Sequence, residues 1–169
     1  MIPEDLKQYI ETEIIPQYNN FDKGHDITHA RTVIRESLEL AKNYPELETA
    51  MVYTIAAYHD TGLRKDRKTH HLVSGEIILA DRNLRRWFNE EQILTMKEAV
   101  EDHRASADHE PRSLYGKIVA EADRLINEDT VFRRAVQYGL KQNPTANTEW
   151  HYNRFNDHME EKYAAGGYL

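Results

Sequence analysis

The chain has no cysteine. That excludes disulfides, thiolate zinc sites and a thiol nucleophile, and it suits a reducing compartment, so a cytoplasmic location is expected. No stretch approaches the roughly 20 apolar residues of a membrane span, so no membrane partner is expected. The opening "MIPEDLKQYIETEIIPQ" carries acidic residues where a secretory signal would carry basic ones. Basic excess is also missing. Lys and Arg number 22 against 29 Asp and Glu, a net charge of −7, which argues against nucleic-acid partners. Only seven Gly and five Pro occur, and they fall between periodic segments. With no repeat, low-complexity tract or Ser/Gly linker, one domain over 1–169 is expected, burying roughly two-thirds of its unfolded surface.

What is present is helical periodicity. Apolar residues recur at three- and four-residue spacing, and alternating strand patterns are missing. The pattern predicts helices near 3–18, 26–43, 46–60, 71–86, 90–105, 112–127, 129–142 and 148–164, an all-α bundle. In the second, Ile27, Ala30, Ile34, Leu38 and Ala41 share a face, and Asp26 or Thr28 suits its N-cap.

Several of these apolar rows end on polar residues. In "MVYTIAAYHDTGL", Leu47, Met51, Ile55 and His59 form one row at four-residue spacing, and Val52, Ala56 and Asp60 form the next. Ile93, Met96, Val100 and His103 make a similar row, as do Tyr115, Val119 and Asp123. His29 lies at the edge of the apolar stripe of its own helix. A single histidine at a helix end is commonly exposed or satisfied, and a helical Asp is commonly solvated or paired, as Asp123 could be with Arg124. Four rows agreeing in phase point elsewhere. Inward carboxylates need cations, donors or a metal. The mixed nitrogen and oxygen set suits Fe, Mn, Zn, Co or Ni, with Mg also admitted.

Together "GHDITHARTV", "AAYHDTGL" and "KIVAEADRL" resemble the HD superfamily of metal-dependent phosphohydrolases. Its signature is a His, then a His-Asp pair, then a distant Asp, each on its own helix of an all-α bundle. The resemblance runs from about residue 20 through the closing "EEKYAAGGYL", which is similar to the tail of small bacterial members. It implies that His29, His59, Asp60 and Asp123 hold a first metal. A binuclear branch adds two histidines, matched here by His70 in "THHLVSGEII" and His103 in "AVEDHRAS". His71 is an alternative to His70. The resemblance implies one or two divalent metals per chain, with Asp60 as the catalytic, bridging carboxylate. Leu63 departs from the pattern, since some members carry Glu or Lys at that position.

The implied activity is hydrolysis of a phosphate ester of a small phosphorylated substrate, a nucleotide or another metabolite, by water activated on the metal. Whether the ester is a monoester, a diester or a pyrophosphate stays open. Arg64, Lys65, Arg67 and Lys68 follow the pair and are candidates to bind substrate phosphate, although such a run also suits a solvated loop. Asp102 beside His103 is a candidate to orient a ligand or accept a proton. Other readings compete. The same six ligands serve diiron oxygenases of this fold, and a non-catalytic nucleotide-binding regulatory module is a third option. "HDITH" also resembles the zincin H-E-x-x-H motif, but Gly24 and the capping preference of Asp26 place His25 before the helix. The sequence is compatible with a homo-oligomer and does not define the oligomeric state.

Overall fold

The computed structural model describes residues 1–21, 25–65, 67–104, 109–124, 136, 139–140 and 143–163, with side chains to 157. The chain gathers into two compact units, one over Met1–Arg124 and one over Leu125–Gly167. The described elements are helical, in keeping with an all-α fold, and no strand occurs among the described residues.

In the first unit, α1 (Glu4–Tyr9) continues through a wide turn, Ile10–Ile14, into a tight one, Ile15–Asn20. Leu6, Ile10, Ile14, Ile15 and Tyr18 are buried along this segment. Pro16 has no N–H to continue the α-helical ladder, which accounts for the change of pitch beside it. Helix α2 (Ile27–Ala41) starts where Asp26 accepts a 3.0 Å hydrogen bond from the His29 N–H, so Asp26 rather than Thr28 is the cap.

Helix α3 (Thr49–Tyr58) is shorter than expected at both ends. Every residue from Met51 to Tyr58 is buried, so it is apolar all round and not on one face. Such a helix belongs at the centre of a bundle. Helix α2 and the later helices α5 (Glu90–Glu101) and α6 (Leu114–Arg124) pack around it.

The segment expected as one helix over 71–86 is two elements: α4 (His70–Ala80) and a 3₁₀ turn, Arg82–Arg86. Asp81 breaks it. Its carboxylate accepts from the Asn83 N–H at 2.9 Å and from the hydroxyls of Tyr9 (2.5 Å) and Tyr58 (2.6 Å), ties that a continuing helix would have to give up. Helix α5 (Glu90–Glu101) opens on a reciprocal Asn89–Gln92 cap and lies along α4. It ends before the predicted 105. Helix α6 (Leu114–Arg124) opens where the Ser113 hydroxyl accepts from Gly116 N–H.

In the second unit, α7 (Thr148–Tyr163) is capped by Asn147, which accepts from the Trp150 N–H at 2.9 Å. The expected helix over 129–142 falls for the most part outside the described residues, as do 125–127 and the tail from 164.

Candidate metal centre

Because α3 is apolar on all sides, it carries whatever follows it into the interior. His59 is its C-cap and is fully buried, and Asp60 is only 3% exposed. The chain turns there. The Thr61 hydroxyl donates to Tyr58 O at 2.8 Å, and Leu63 N–H donates to Asp60 O at 3.0 Å. From the first helical segment, the buried Tyr18 hydroxyl donates to Ala57 O at 2.9 Å and accepts from the Asp60 N–H at 3.3 Å. Tyr18 was not foreseen as a site residue. Its one sequence signal is position: a tyrosine ending the Leu6–Ile10–Ile14 row must find a partner for its hydroxyl once buried.

Around Asp60 two sets of side chains converge. His29, His59 and Asp123 form one, and Asp60, His70 and His103 the other. Asp60 reaches into both. Its Oδ2 lies 3.2 Å from Nε2 of His59 and 3.4 Å from Nε2 of His29. Its Oδ1 lies 3.2 Å from Nε2 of His70 and 3.4 Å from Nε2 of His103. Within the sets, the His29 and His59 Nε2 atoms are 3.2 Å apart, His70 and His103 are 3.3 Å apart, and Asp123 Oδ1 is 3.2 Å from His29.

Three of the imidazoles are oriented by the same device. Nδ1 faces a backbone carbonyl three residues earlier: Ala56 for His59 (2.7 Å), Arg67 for His70 (2.8 Å) and Val100 for His103 (2.6 Å). A carbonyl only accepts, so Nδ1 carries a proton, and Nε2 is the atom that each ring presents to the cluster. That is the ring orientation a metal ligand needs.

The electrostatics agree. Burial disfavours a charged Asp60, but the neighbouring His59, His103 and His29 outweigh it and hold the carboxyl well below the usual carboxylate range. Asp123 is pulled down in the same direction, chiefly by its hydrogen bond with His29. Burial also opposes protonation of His29, yet the Asp123 and Asp60 carboxylates raise it to about 9. The two carboxylates thus favour a proton on His29, at a position that a metal cation could take instead.

The spacing fits a metal as well. With metal–donor bonds near 2.1 Å, adjacent ligand atoms are separated by about 3.0 Å in an octahedron and about 3.4 Å in a tetrahedron. The donor separations of 3.2–3.4 Å here fall in that interval.

Other candidates are placed elsewhere. His71 belongs to neither set, and burial together with His70 and His103 lowers it to about 4. The Asp102 carboxylate does not orient a ligand. It is buried against Arg112, accepting from the backbone N–H (2.7 Å) and from Nε and Nη2 at 2.9–3.1 Å. His25 precedes the Asp26 cap and so lies outside α2, which removes the zincin pattern; its ring packs edge-on to His29 at 5.7 Å. Leu63 is half-buried and supplies no polar group. In the basic run, Arg67 O holds His70 and Lys68 O accepts from Arg104 at 2.7 Å, while Arg64 and Lys65 line a cavity that the six cluster residues do not.

The HD domain family profile matches residues 26–128, most of the chain and every residue of both sets. The chain belongs to the HD domain family. That family is a superfamily of metal-dependent hydrolases. A crystal structure of a predicted HD superfamily hydrolase from an uncultured Thermotogales bacterium shares the fold, with a TM-score of 0.58 at 21% identity over 95% of this chain and 84% of that one. A comparison with curated proteins gives no match. No helix among the described residues is long and apolar enough to cross a membrane.

Proposed function

We propose that this HD domain is a phosphohydrolase that cleaves a phosphate ester of a small metabolite such as a nucleotide. The observation that carries the reading is the shared Asp60, one oxygen facing each set of ligands. His29, His59, Asp123 and Asp60 Oδ2 would hold one divalent metal, and His70, His103 and Asp60 Oδ1 a second. A metal in such a site lowers the pKa of a coordinated water from about 15.7 toward ~7, supplying a nucleophile at neutral pH. The residues set the remaining conditions. Asp60 would serve both positions, one oxygen to each, and the backbone carbonyls of Ala56, Arg67 and Val100 keep three imidazoles from rotating. Two carboxylates offset only half the charge of two divalent ions, so the loaded centre stays cationic and favours an anionic substrate. The exposed side chains of Arg67 and Lys68, at the entry to α4, are assigned to the substrate phosphate.

The test is metal analysis of protein purified without chelator or affinity nickel, paired with a phosphate-release screen over nucleotides and sugar phosphates. Bound transition metal is expected, with activity lost in His59→Ala and Asp123→Ala. Metal-free protein whose activity survives both substitutions would overturn the reading. Oxygen consumption with a mixed-valence diiron signal would replace it with oxygenase chemistry on the same ligands.

A further inference from the structure

The two histidines that share Asp60 Oδ1 sit at helix ends. His70 is the first residue of α4, and His103 lies just past the end of α5. Intrahelical hydrogen bonds run out at such places, so side chains there depend on other ties to stay in position. Burial supplies little of this before His70, because Arg67, Lys68 and Thr69 are exposed.

Two consecutive carbonyls of that stretch are engaged. Arg67 O faces Nδ1 of His70 at 2.8 Å and sets the ring. Lys68 O accepts a 2.7 Å hydrogen bond from Nη1 of Arg104, across 36 residues of chain. Arg104 directly follows His103. One guanidinium thus fastens the end of α5, with its histidine, to the backbone that orients the other histidine, and the two Nε2 atoms lie 3.3 Å apart. Charge works the other way. No carboxylate pairs with Arg104 among the described residues, and its positive charge reaches His71, beside His70. A guanidinium near this position repels a metal cation, while its tie to Lys68 O holds the ligands ready for one.

We propose that Arg104 is the positioning residue of the second metal position: through Lys68 O it holds His70 at its distance from His103, and so sets how tightly that metal binds. The proposal rests on the two-metal reading above. Its sign separates it from the alternatives. Losing a residue that only repels would tighten the second metal, and losing one that only supports the fold would weaken both metals together. Losing the tie weakens the second alone. Groups that orient a ligand from outside commonly change metal affinity by about 10–100-fold.

The experiment is competition for Mn²⁺ between a chromophoric chelator and the full chain, stripped of metal, in the native protein and in Arg104→Met and Arg104→Lys. The double variant His70→Ala/His103→Ala identifies which binding step belongs to the second position. Arg104 is only part-buried, so its replacement leaves the fold in place, which circular dichroism checks. Arg104→Met keeps the aliphatic bulk without a donor; it should weaken the second step at least about tenfold and change the first by less than about threefold. Arg104→Lys keeps the charge and a donor, and should bind the second metal within about threefold of the native chain. A second step that is unchanged or tighter in Arg104→Met would overturn the proposal. So would an equal loss at both steps, or a loss in Arg104→Lys as large as in Arg104→Met. A native chain that takes up a single Mn²⁺ overturns the two-metal reading and this proposal with it. Two bound Mn²⁺ with Arg104→Met unaffected overturn this proposal alone.

Discussion

A side-chain carbon on Gly62 would lie 2.0 Å from the carbonyl oxygen of His70. The turn that carries Asp60 and the helix that carries His70 therefore meet backbone to backbone, pinned by the 2.8 Å hydrogen bond from Gly62 N–H to the Ser74 hydroxyl. Asp60 Oδ1 can approach His70 Nε2 only because nothing stands between these two elements.

Gly62→Ala tests this. The clash is with backbone atoms of α4, including Ser74 N at 2.7 Å, which no side-chain rotation can relieve. We expect a loss of about 1–3 kcal/mol in denaturant unfolding and weaker metal binding at His70 and His103. Unchanged stability and metal content would mean that the two elements slide apart freely.

Removing the Tyr18 hydroxyl should act on the centre without touching a ligand. Tyr18→Phe strips a donor from Ala57 O and an acceptor from Asp60 N–H, both buried. A cost of about 1–3 kcal/mol is expected, with metal affinity reduced. Equal metal affinity in the two proteins, measured by competition with a chromophoric chelator, would remove Tyr18 from the positioning of Asp60.

Metal stoichiometry should separate the two halves of the cluster. His70→Ala with His103→Ala is expected to leave about one metal per chain, whereas Asp60→Asn should weaken both positions, since one carboxylate oxygen serves each. Elemental analysis of the purified variants reads this directly.

The pH dependence follows from His29, Asp60 and Asp123. A histidine raised in the folded state from 6.5 to about 9 gives stability that is fully present below 6.5 and lost as pH rises through about 9. The lowered carboxyls give stability that is present above 3.8 and lost as pH falls further. The cluster's contribution to the metal-free protein is therefore largest between 3.8 and 6.5 and declines toward about 9. Metal must displace the His29 proton, so affinity should climb about tenfold per pH unit up to about pH 9. Thermal unfolding against pH, with and without metal, checks both signs.

Asp102 should behave as structure, not as catalyst. Arg112→Ala leaves a carboxylate that is 1% exposed without its guanidinium, and the loss expected for breaking a buried pair is about 3–5 kcal/mol. Turnover per folded molecule should change little, and a large loss of kcat at full folding would contradict the assignment.

Much of the centre was legible in the chain because helical phase is a local property. The rows Met51–Ile55–His59 and Val52–Ala56–Asp60 already showed that the His-Asp pair follows the buried side, and the other rows showed His103 and Asp123 doing the same. Boundaries were less legible. Asp81 looked like one more position in a helix over 71–86, since only the folded chain brings Tyr9 and Tyr58 to its carboxylate and makes a break favourable there. The choice of His70 over His71 is of the same kind. Adjacent residues on a helix differ by about 100° in direction, and which of the two directions faces Asp60 depends on how α4 packs against the turn at Gly62.

The roles of Asp102 and Tyr18 were settled further still from the sequence. Asp102 sits beside a cluster residue but is claimed by Arg112 ten positions on, and Tyr18 reaches Asp60 from a segment 42 residues away. Sequence by itself determined the class of fold, the residues able to bind metal and the side of each helix on which they lie, because periodicity and donor chemistry belong to the residues. Tertiary structure alone decided which of them share an oxygen of Asp60 and which cations line a separate cavity. Those are distances between segments, set by packing, and no local pattern records them.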